Sequence, residues 1–313
     1  MRVLVLGANG YIGYRTALGL AAAGHDVGGF VRSDAAAERV RSAGAHPMIG
    51  RLDDPAAIQQ AVAAHDAFIW LVQLALDEEQ RVIDLWLKAL RGSGKCFVFT
   101  GGASVLSVPT QGEWSDQVFA ETDSFIPRRA LLPRAQTELL VRAASQTGVR
   151  SIVARPPLIY GHGGCKVISD LYHSARATGA VCYVGRGLNA YSSTHVDDVA
   201  ECLRLCVERG TPGALYHAVA GEASFRSMAL AVAAALGVGT RSVTIEAAQQ
   251  VWDRFTATTV FSSCSRTRSP VASAELGWAP RPDRPGILDE CQDPAYAAET
   301  ERSLASWVKP GGV

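Results

Sequence analysis

The eight residues Leu6-Gly7-Ala8-Asn9-Gly10-Tyr11-Ile12-Gly13 constrain this chain more than any other stretch. They follow Val3-Leu4-Val5-Leu6, a short apolar run with branched residues that stops at a glycine and predicts a buried strand. They lead into Tyr14 to Ala23, rich in alanine and leucine, which predicts a helix closed by Gly24. Strand, glycine-rich turn and helix in this order is the context in which such a motif binds a dinucleotide. Gly7 permits the tight turn, Gly10 lets backbone come close to a pyrophosphate, and Gly13 lets the helix pack on the strand. The N–H groups at the helix N-terminus then face the phosphate oxygens. An ordinary turn without a ligand is the plain alternative, and three glycines at Gly-x-x-Gly-x-x-Gly spacing weigh against it. Gly7, Asn9, Gly10, Tyr11, Ile12 and Gly13 are therefore the first candidate cofactor residues.

The rest of the chain repeats the strand and helix alternation. Strands are predicted at 25–32, His46 to Ile49, Asp66 to Val72, Cys96 to Phe99, Val149 to Ala154 and Leu215 to Val219. Helices are predicted at Glu38 to Ser42, from Pro55 onward behind an Asp53 or Asp54 cap, at Asp77 to Leu90, at Leu131 to Thr147 and near Ser227 to Leu236. Ser107 to Pro127, with Pro109 and Gly112 and no apolar period, reads as a long functional loop. Alternation of this kind predicts an α/β fold, a Rossmann-type doubly wound parallel sheet that binds ligand past its strand ends. Val72 and Thr100, at two such ends, are further cofactor candidates. Residues 1–156, completed by 190–220, are expected to form the nucleotide-binding domain. Residues 157–189 and 221–313 are expected to form a smaller lobe that closes over substrate.

Composition excludes several function classes. Lys+Arg and Asp+Glu are both 30, so neither nucleic acid nor an anionic membrane surface is an expected partner. No apolar run is long enough to span a bilayer, and the first strand begins too early to leave room for a signal peptide. Seven dispersed cysteines without C-x-x-C or zinc spacing fit reduced thiols in the cytoplasm and no metal site.

The glycine spacing, the length and three later segments resemble the short-chain dehydrogenase/reductase superfamily. Within it they resemble the extended branch, the NAD(P)-dependent epimerase/dehydratase family. The later segments are Arg155-Pro156-Pro157-Leu158-Ile159-Tyr160-Gly161, His195-Val196-Asp197-Asp198-Val199-Ala200 and Ala274-Glu275-Leu276-Gly277-Trp278-Ala279-Pro280. The resemblance implies that Pro157 lies by the nicotinamide, and that Asp197 and Asp198 cap a helix. It also implies a ribose-binding carboxylate at position 31 and an adenine-binding aspartate at position 51. Val31 followed by Arg32 occupies the first place, and Arg51, followed by Leu52, the second. Losing a carboxylate and gaining a guanidinium favours a 2′-phosphate, so NADP(H) is the expected cofactor.

The same resemblance implies a Ser, Tyr and Lys catalytic set, and all three positions depart from it: they hold Gly102, Ala130 and Arg134. Arg134 keeps the positive charge without being able to shuttle a proton at neutral pH. Replacement proton carriers are sought in Tyr160, beside the nicotinamide segment, and Ser104, just past the fifth strand; His162, Glu113 and Asp116 are further possibilities. The resulting expectation is an atypical NADP(H)-dependent oxidoreductase acting on a small organic molecule, such as a secondary metabolite. A non-redox isomerase, cyclase or lyase and a non-catalytic NADP-sensing protein stand beside it. A homodimer is compatible with this reading, which leaves oligomeric state open.

Overall fold

The computed structural model describes residues 1–297; residues 298–313, the end of the expected smaller lobe, lie outside the described residues. The first half alternates without interruption: β1 (Arg2–Leu6), α1 (Tyr11–Ala22), β2 (Asp26–Val31), α2 (Asp34–Ser42), β3 (His46–Ile49), α3 (Pro55–Ala64), β4 (Ala67–Trp70), α4 (Leu76–Leu90) and β5 (Cys96–Thr100). A short β6 (Val108–Pro109), α5 (Leu132–Ala143) and β7 (Arg150–Arg155) follow. The second half adds β8 (Leu158–Tyr160), α6 (Lys166–Thr178), β9 (Ala180–Val184), β10 (Ala190–His195), α7 (Val196–Arg209) and β11 (Leu215–His217). It closes with β12 (Gly221–Ser224), α8 (Phe225–Leu236), β13 (Gly239–Val243), α9 (Ile245–Val251), β14 (Ser263–Cys264) and α10 (Ile287–Glu290).

Seven strands form one parallel sheet in the order β11-β7-β5-β4-β1-β2-β3. The strand order reverses at β1, between β4 and β2, which opens a crevice beyond the C-terminal ends. Alternation along β1 shows why the sheet is covered on both faces. Val3 and Val5 point into a core shared with α1, α2 and α7, whereas Leu4 and Leu6 point into one shared with α3, α4 and α5. Helix α4 supplies Val82, Ile83, Trp86, Leu87 and Leu90 to the second core, a 3.6-period stripe. The Trp86 indole donates to the Leu52 carbonyl at 3.0 Å, which anchors the turn after β3.

The smaller lobe has a core of its own, built on α6, α8 and β9 with Tyr160, Tyr191, Phe225 and Phe261. Pro156 and Pro157 interrupt the ladder after β7, so β8 leaves the large sheet and pairs with β10, which pairs in turn with β12. Strand β10 thus belongs to this second sheet, and of the stretch 190–220 it is α7 and β11 that return to the large one. The long loop after β5 contributes β6, which pairs with β14 and ties the loop to the smaller lobe.

One helix start differs from its expected form. The cap of α7 is His195, whose Nδ1 accepts the Asp197 N–H at 3.2 Å; Asp197 and Asp198 sit within the first turn instead. The imidazole reaches the amide because β10 runs straight into the helix. The two carboxylates are left to bind elsewhere. Asp197 pairs with Arg15 of α1 at 2.5 Å, Arg284 at 3.0 Å and His162 at 3.1 Å, and Asp198 pairs with Arg284 at 3.2 Å.

Candidate functional site

The glycine turn brings strand and helix together through backbone contacts. Gly7 has φ +88°, and a Cβ there would lie 2.8 Å from the Leu71 carbonyl oxygen. A Cβ on Gly13 would lie 2.1 Å from the Gly7 carbonyl oxygen, so helix and turn touch through backbone alone. Gly10 is different: it is exposed, and its Cβ would come no nearer than 3.2 Å to the Gly7 carbonyl oxygen. That backbone oxygen is the one atom a Cβ on Gly10 would crowd. Gly10 caps α1 without any side-chain cap, which leaves the first amides of the helix available to an anion. Asn9 is exposed at the rim, and the Tyr11 hydroxyl donates to the Gly161 carbonyl at 2.8 Å, tying the turn to the loop after β8.

Beyond the ends of β4 and β5 lies a cleft of about 190 Å³. Ile12, Leu71, Val72, Leu76 and Leu131 give it apolar walls; Gln73, Thr100, Ser104 and Arg134 give it polar atoms; Gly101 and Gly102 floor one side. Its lining residues among those described all come from 1–156. The Thr100 side-chain oxygen is buried beside the cleft without a hydrogen-bond partner. Gly101 admits no side chain because its Cβ would lie 2.4 Å from Glu138 Oε1; that carboxylate is held by Arg155 in a buried pair at 2.5 Å. Gly102 has no such restriction, its Cβ meeting only Ser104 Oγ at 3.7 Å.

Arg134 is the cation of this cleft. Its guanidinium pairs with Glu79 Oε2 of α4 at 3.1 Å and lies 5.7 Å from the centre of the Phe99 ring. The Glu79 side chain is fully buried, and neither oxygen has a well-formed hydrogen bond. Burial pushes its carboxyl up to about 7, against the opposing pull of Arg134 and the Trp70 indole N–H. Sequence reasoning missed Glu79, although a signal was there. It lies three, four and seven residues before Val82, Ile83 and Trp86, on the buried stripe of α4, where a charge demands a partner.

The structure brings Ser104 and Arg134 together in the cleft and takes Tyr160 away from it. The Tyr160 hydroxyl donates to the Pro285 carbonyl at 3.1 Å, its ring packs edge-on against His195, and burial pushes its phenol up to about 12. It belongs to the core of the smaller lobe, and the expectation that it supplies a proton is corrected accordingly. His162, Glu113 and Asp116 are also engaged elsewhere, with Asp197, Arg186 and Trp114. Pro157 is half-buried at the break between the two sheets. At the other end of the crevice, Arg32 follows β2 and Arg51 follows β3, two adjacent parallel strands. Both side chains are exposed, and Arg51 pairs loosely with Asp53 at 3.3 Å.

His162, His195 and Asp197 also approach one another closely enough to hold a cation. Asp197 is already neutralised by Arg15 and Arg284, and His195 spends Nδ1 on the helix cap. Burial drives His195 down to about 4, so a neutral ring sits in a cluster that holds α1, α7 and the 281–286 segment together.

A doubly wound sheet, a glycine turn without a side-chain cap and a cleft beyond the ends of β4 and β5 form the pattern of a dinucleotide-binding fold. The chain belongs to the NAD dependent epimerase/dehydratase family, which matches residues 3–219. It is 31% identical over 290 residues to an uncharacterized protein of Schizosaccharomyces pombe, covering 90% of this chain and 95% of that one. It is 31% identical over 240 residues to a 2-alkyl-3-oxoalkanoate reductase of Stenotrophomonas maltophilia, covering 72% of this chain and 70% of the other. Among solved structures it resembles a dTDP-glucose 4,6-dehydratase from Bacillus anthracis in complex with NAD. There the TM-score is 0.73 at 16% identity, with 94% and 95% of the two chains covered, a likeness of fold.

Proposed function

We propose that this protein is an NADP(H)-dependent reductase of a carbonyl group in a small organic molecule. The observation that carries the reading is the convergence of Thr100, Ser104 and Arg134 on one cleft at the strand ends, with apolar walls around them. The reductase of Stenotrophomonas maltophilia supports carbonyl reduction as the reaction class. The residues fit a nicotinamide dinucleotide: the α1 amides and Gly10 would take the pyrophosphate, Thr100 and Val72 would border the nicotinamide end, and Arg32 with Arg51 would take a 2′-phosphate. When bound in reduced form, the nicotinamide supplies a hydride to the carbonyl carbon.

The protein's part is then to receive the charge that appears on the carbonyl oxygen. Arg134 offers guanidinium N–H donors to that oxygen, held by Glu79 and by the face of Phe99. Ser104 lines the same cleft and can pass a solvent proton to the alkoxide through its hydroxyl. No tyrosinate is needed in this scheme, which agrees with Gly102 and Ala130 standing where the resemblance would place Ser and Tyr.

The test follows NADPH deuterated at the transferring carbon across a panel of ketones and oxo acids. Deuterium in the product with matching loss of NADPH absorbance supports the reading. Product formed with neither label nor cofactor loss would replace it with an isomerase or lyase. Cofactor binding with no turnover of any panel member would favour a sensor.

A further inference from the structure

The Glu79 and Arg134 pair is unusual in where its two members look. Arg134, on α5, lines the cleft; Glu79, on α4, is sealed behind it with no water contact. The guanidinium is the one ionic partner of this carboxylate among the described residues. The other groups facing Glu79 are the Trp70 indole of β4 and, farther along α5, Glu138, itself committed to Arg155 of β7. On α4 its neighbours Asp77 and Glu78 point to water. An anion entering the cleft must share Arg134 with Glu79. Two anions on one guanidinium in a buried setting repel each other strongly, and the repulsion is removed when one of them takes a proton.

We propose that Glu79 and Arg134 form a proton-coupled anion receptor, in which a substrate carboxylate binds Arg134 as Glu79 becomes protonated. The substrate class is therefore a carbonyl compound that carries a carboxylate, an oxo acid whose two kinds of oxygen share one guanidinium. This assignment of substrate rests on the reductase reading; the receptor itself does not. Glu79 is a positioning residue, since it touches no ligand and acts through Arg134. Its position on a fully buried stripe, with both oxygens short of hydrogen bonds, is what lets it accept the proton. The carboxyl is already poised near neutrality before any ligand arrives. The proton comes from solvent: uptake per anion bound rises from near zero where Glu79 already carries its proton to one where it starts ionised, and the binding step consumes none chemically.

The experiment titrates sodium hexanoate into the intact protein by calorimetry, in buffers of different ionisation enthalpy, from pH 6 to pH 8.5. Hexanamide serves as the neutral isostere. Wild-type protein is expected to bind hexanoate with affinity that weakens towards tenfold per pH unit above about 7, the linkage slope for one proton. Uptake should approach one proton per ligand at the alkaline end. Glu79→Gln should bind hexanoate with no proton uptake and no pH dependence, and Arg134→Gln should lose it. Hexanoate binding without proton uptake would overturn the proposal. So would binding that survives Arg134→Gln, binding no tighter than that of hexanamide, or no binding at all. If Glu79→Gln does not fold, proton counting on the wild type and the Arg134→Gln titration still decide. None of these readouts requires turnover, so a failed receptor and a failed reductase reading are told apart by the deuterium experiment.

Discussion

At the scale of single residues, the three glycines of the first turn make separable demands. A Cβ on Gly10 would press on the Gly7 carbonyl only mildly, at 3.2 Å, whereas one on Gly13 would collide with it at 2.1 Å. Gly10→Val should therefore leave a folded protein, with about 1 kcal/mol lost at the helix cap, and abolish nucleotide binding by filling the pyrophosphate space. Gly13→Val should lose fold and binding together. Thermal unfolding followed by calorimetric titration with NADP⁺ distinguishes the two, and tight binding by folded Gly10→Val would move the phosphate site elsewhere. A second residue-scale expectation concerns Arg32. A charge-assisted contact to a 2′-phosphate is worth roughly 1.5–3 kcal/mol, so NADP(H) should bind about tenfold or more tightly than NAD(H). Arg32→Ala should bring the two affinities level; equal affinities in the wild type would remove the basis for NADP. The glycine motif could be read from the chain because each glycine answers to backbone geometry within a few residues. Tyr160 could not be placed the same way. Its partner, the Pro285 carbonyl, is far away in sequence, and nothing local announces that pairing.

At the scale of elements, α1 is tied to distant parts of the chain by charge. Its Arg15 reaches Asp197 at the start of α7, and Asp197 also holds Arg284 and His162, so one carboxylate joins α1 to the loop after β8 and to the 281–286 segment. Asp197→Ala would orphan the part-exposed Arg15 and leave Arg284 with Asp198 alone, and should destabilise the protein by about 1–2 kcal/mol, measured by urea unfolding. The same cluster sets an acid response. His195 is held neutral with its ionisation lowered from the usual range to about 4, so its contribution is complete above about 6.5 and declines as pH falls towards 4. Asp197 is held down at about 2 by Arg15, His162 and Arg284 in opposition to its burial. Its contribution is intact above about 4 and is lost as pH falls through 2. The urea midpoint should thus decline in two stages on acidification, and Asp197→Asn should flatten the second. A midpoint that holds constant between pH 7 and pH 4.5 would contradict the assignment of His195. Helix positions were legible because periodicity and caps are local, as with Asp54 before α3. The cap of α7 was misread because His195 takes a role that Asp197 and Asp198 are chemically better suited to fill.

At the scale of the molecule, the sheet and its two cores follow from alternating strands and helices, and that much was legible. The division of labour between the lobes was less so, since β10 crosses to the smaller lobe only because two prolines drive β8 to seek a partner there. The pairing of α1 with α7 has a further consequence, for synthesis. The buried face of α1, with Thr16, Ala17 and Leu20, shares a core with Val199, Cys202, Leu203 and Cys206 of α7, which emerges from the ribosome roughly 180 residues later. At roughly 5–20 residues per second the nascent chain waits about 10–35 s with that face covered only by β1, β2 and α2. Ribosome-stalled chains ending near residue 195 should be cut by protease within α1, and those extended past residue 250 should resist. Equal resistance at both lengths would mean that the first five strands settle without α7. The cell's exposure to a sticky intermediate is thus written into strand order, and a chaperone that shelters one half-covered sheet face for tens of seconds is what this topology calls for.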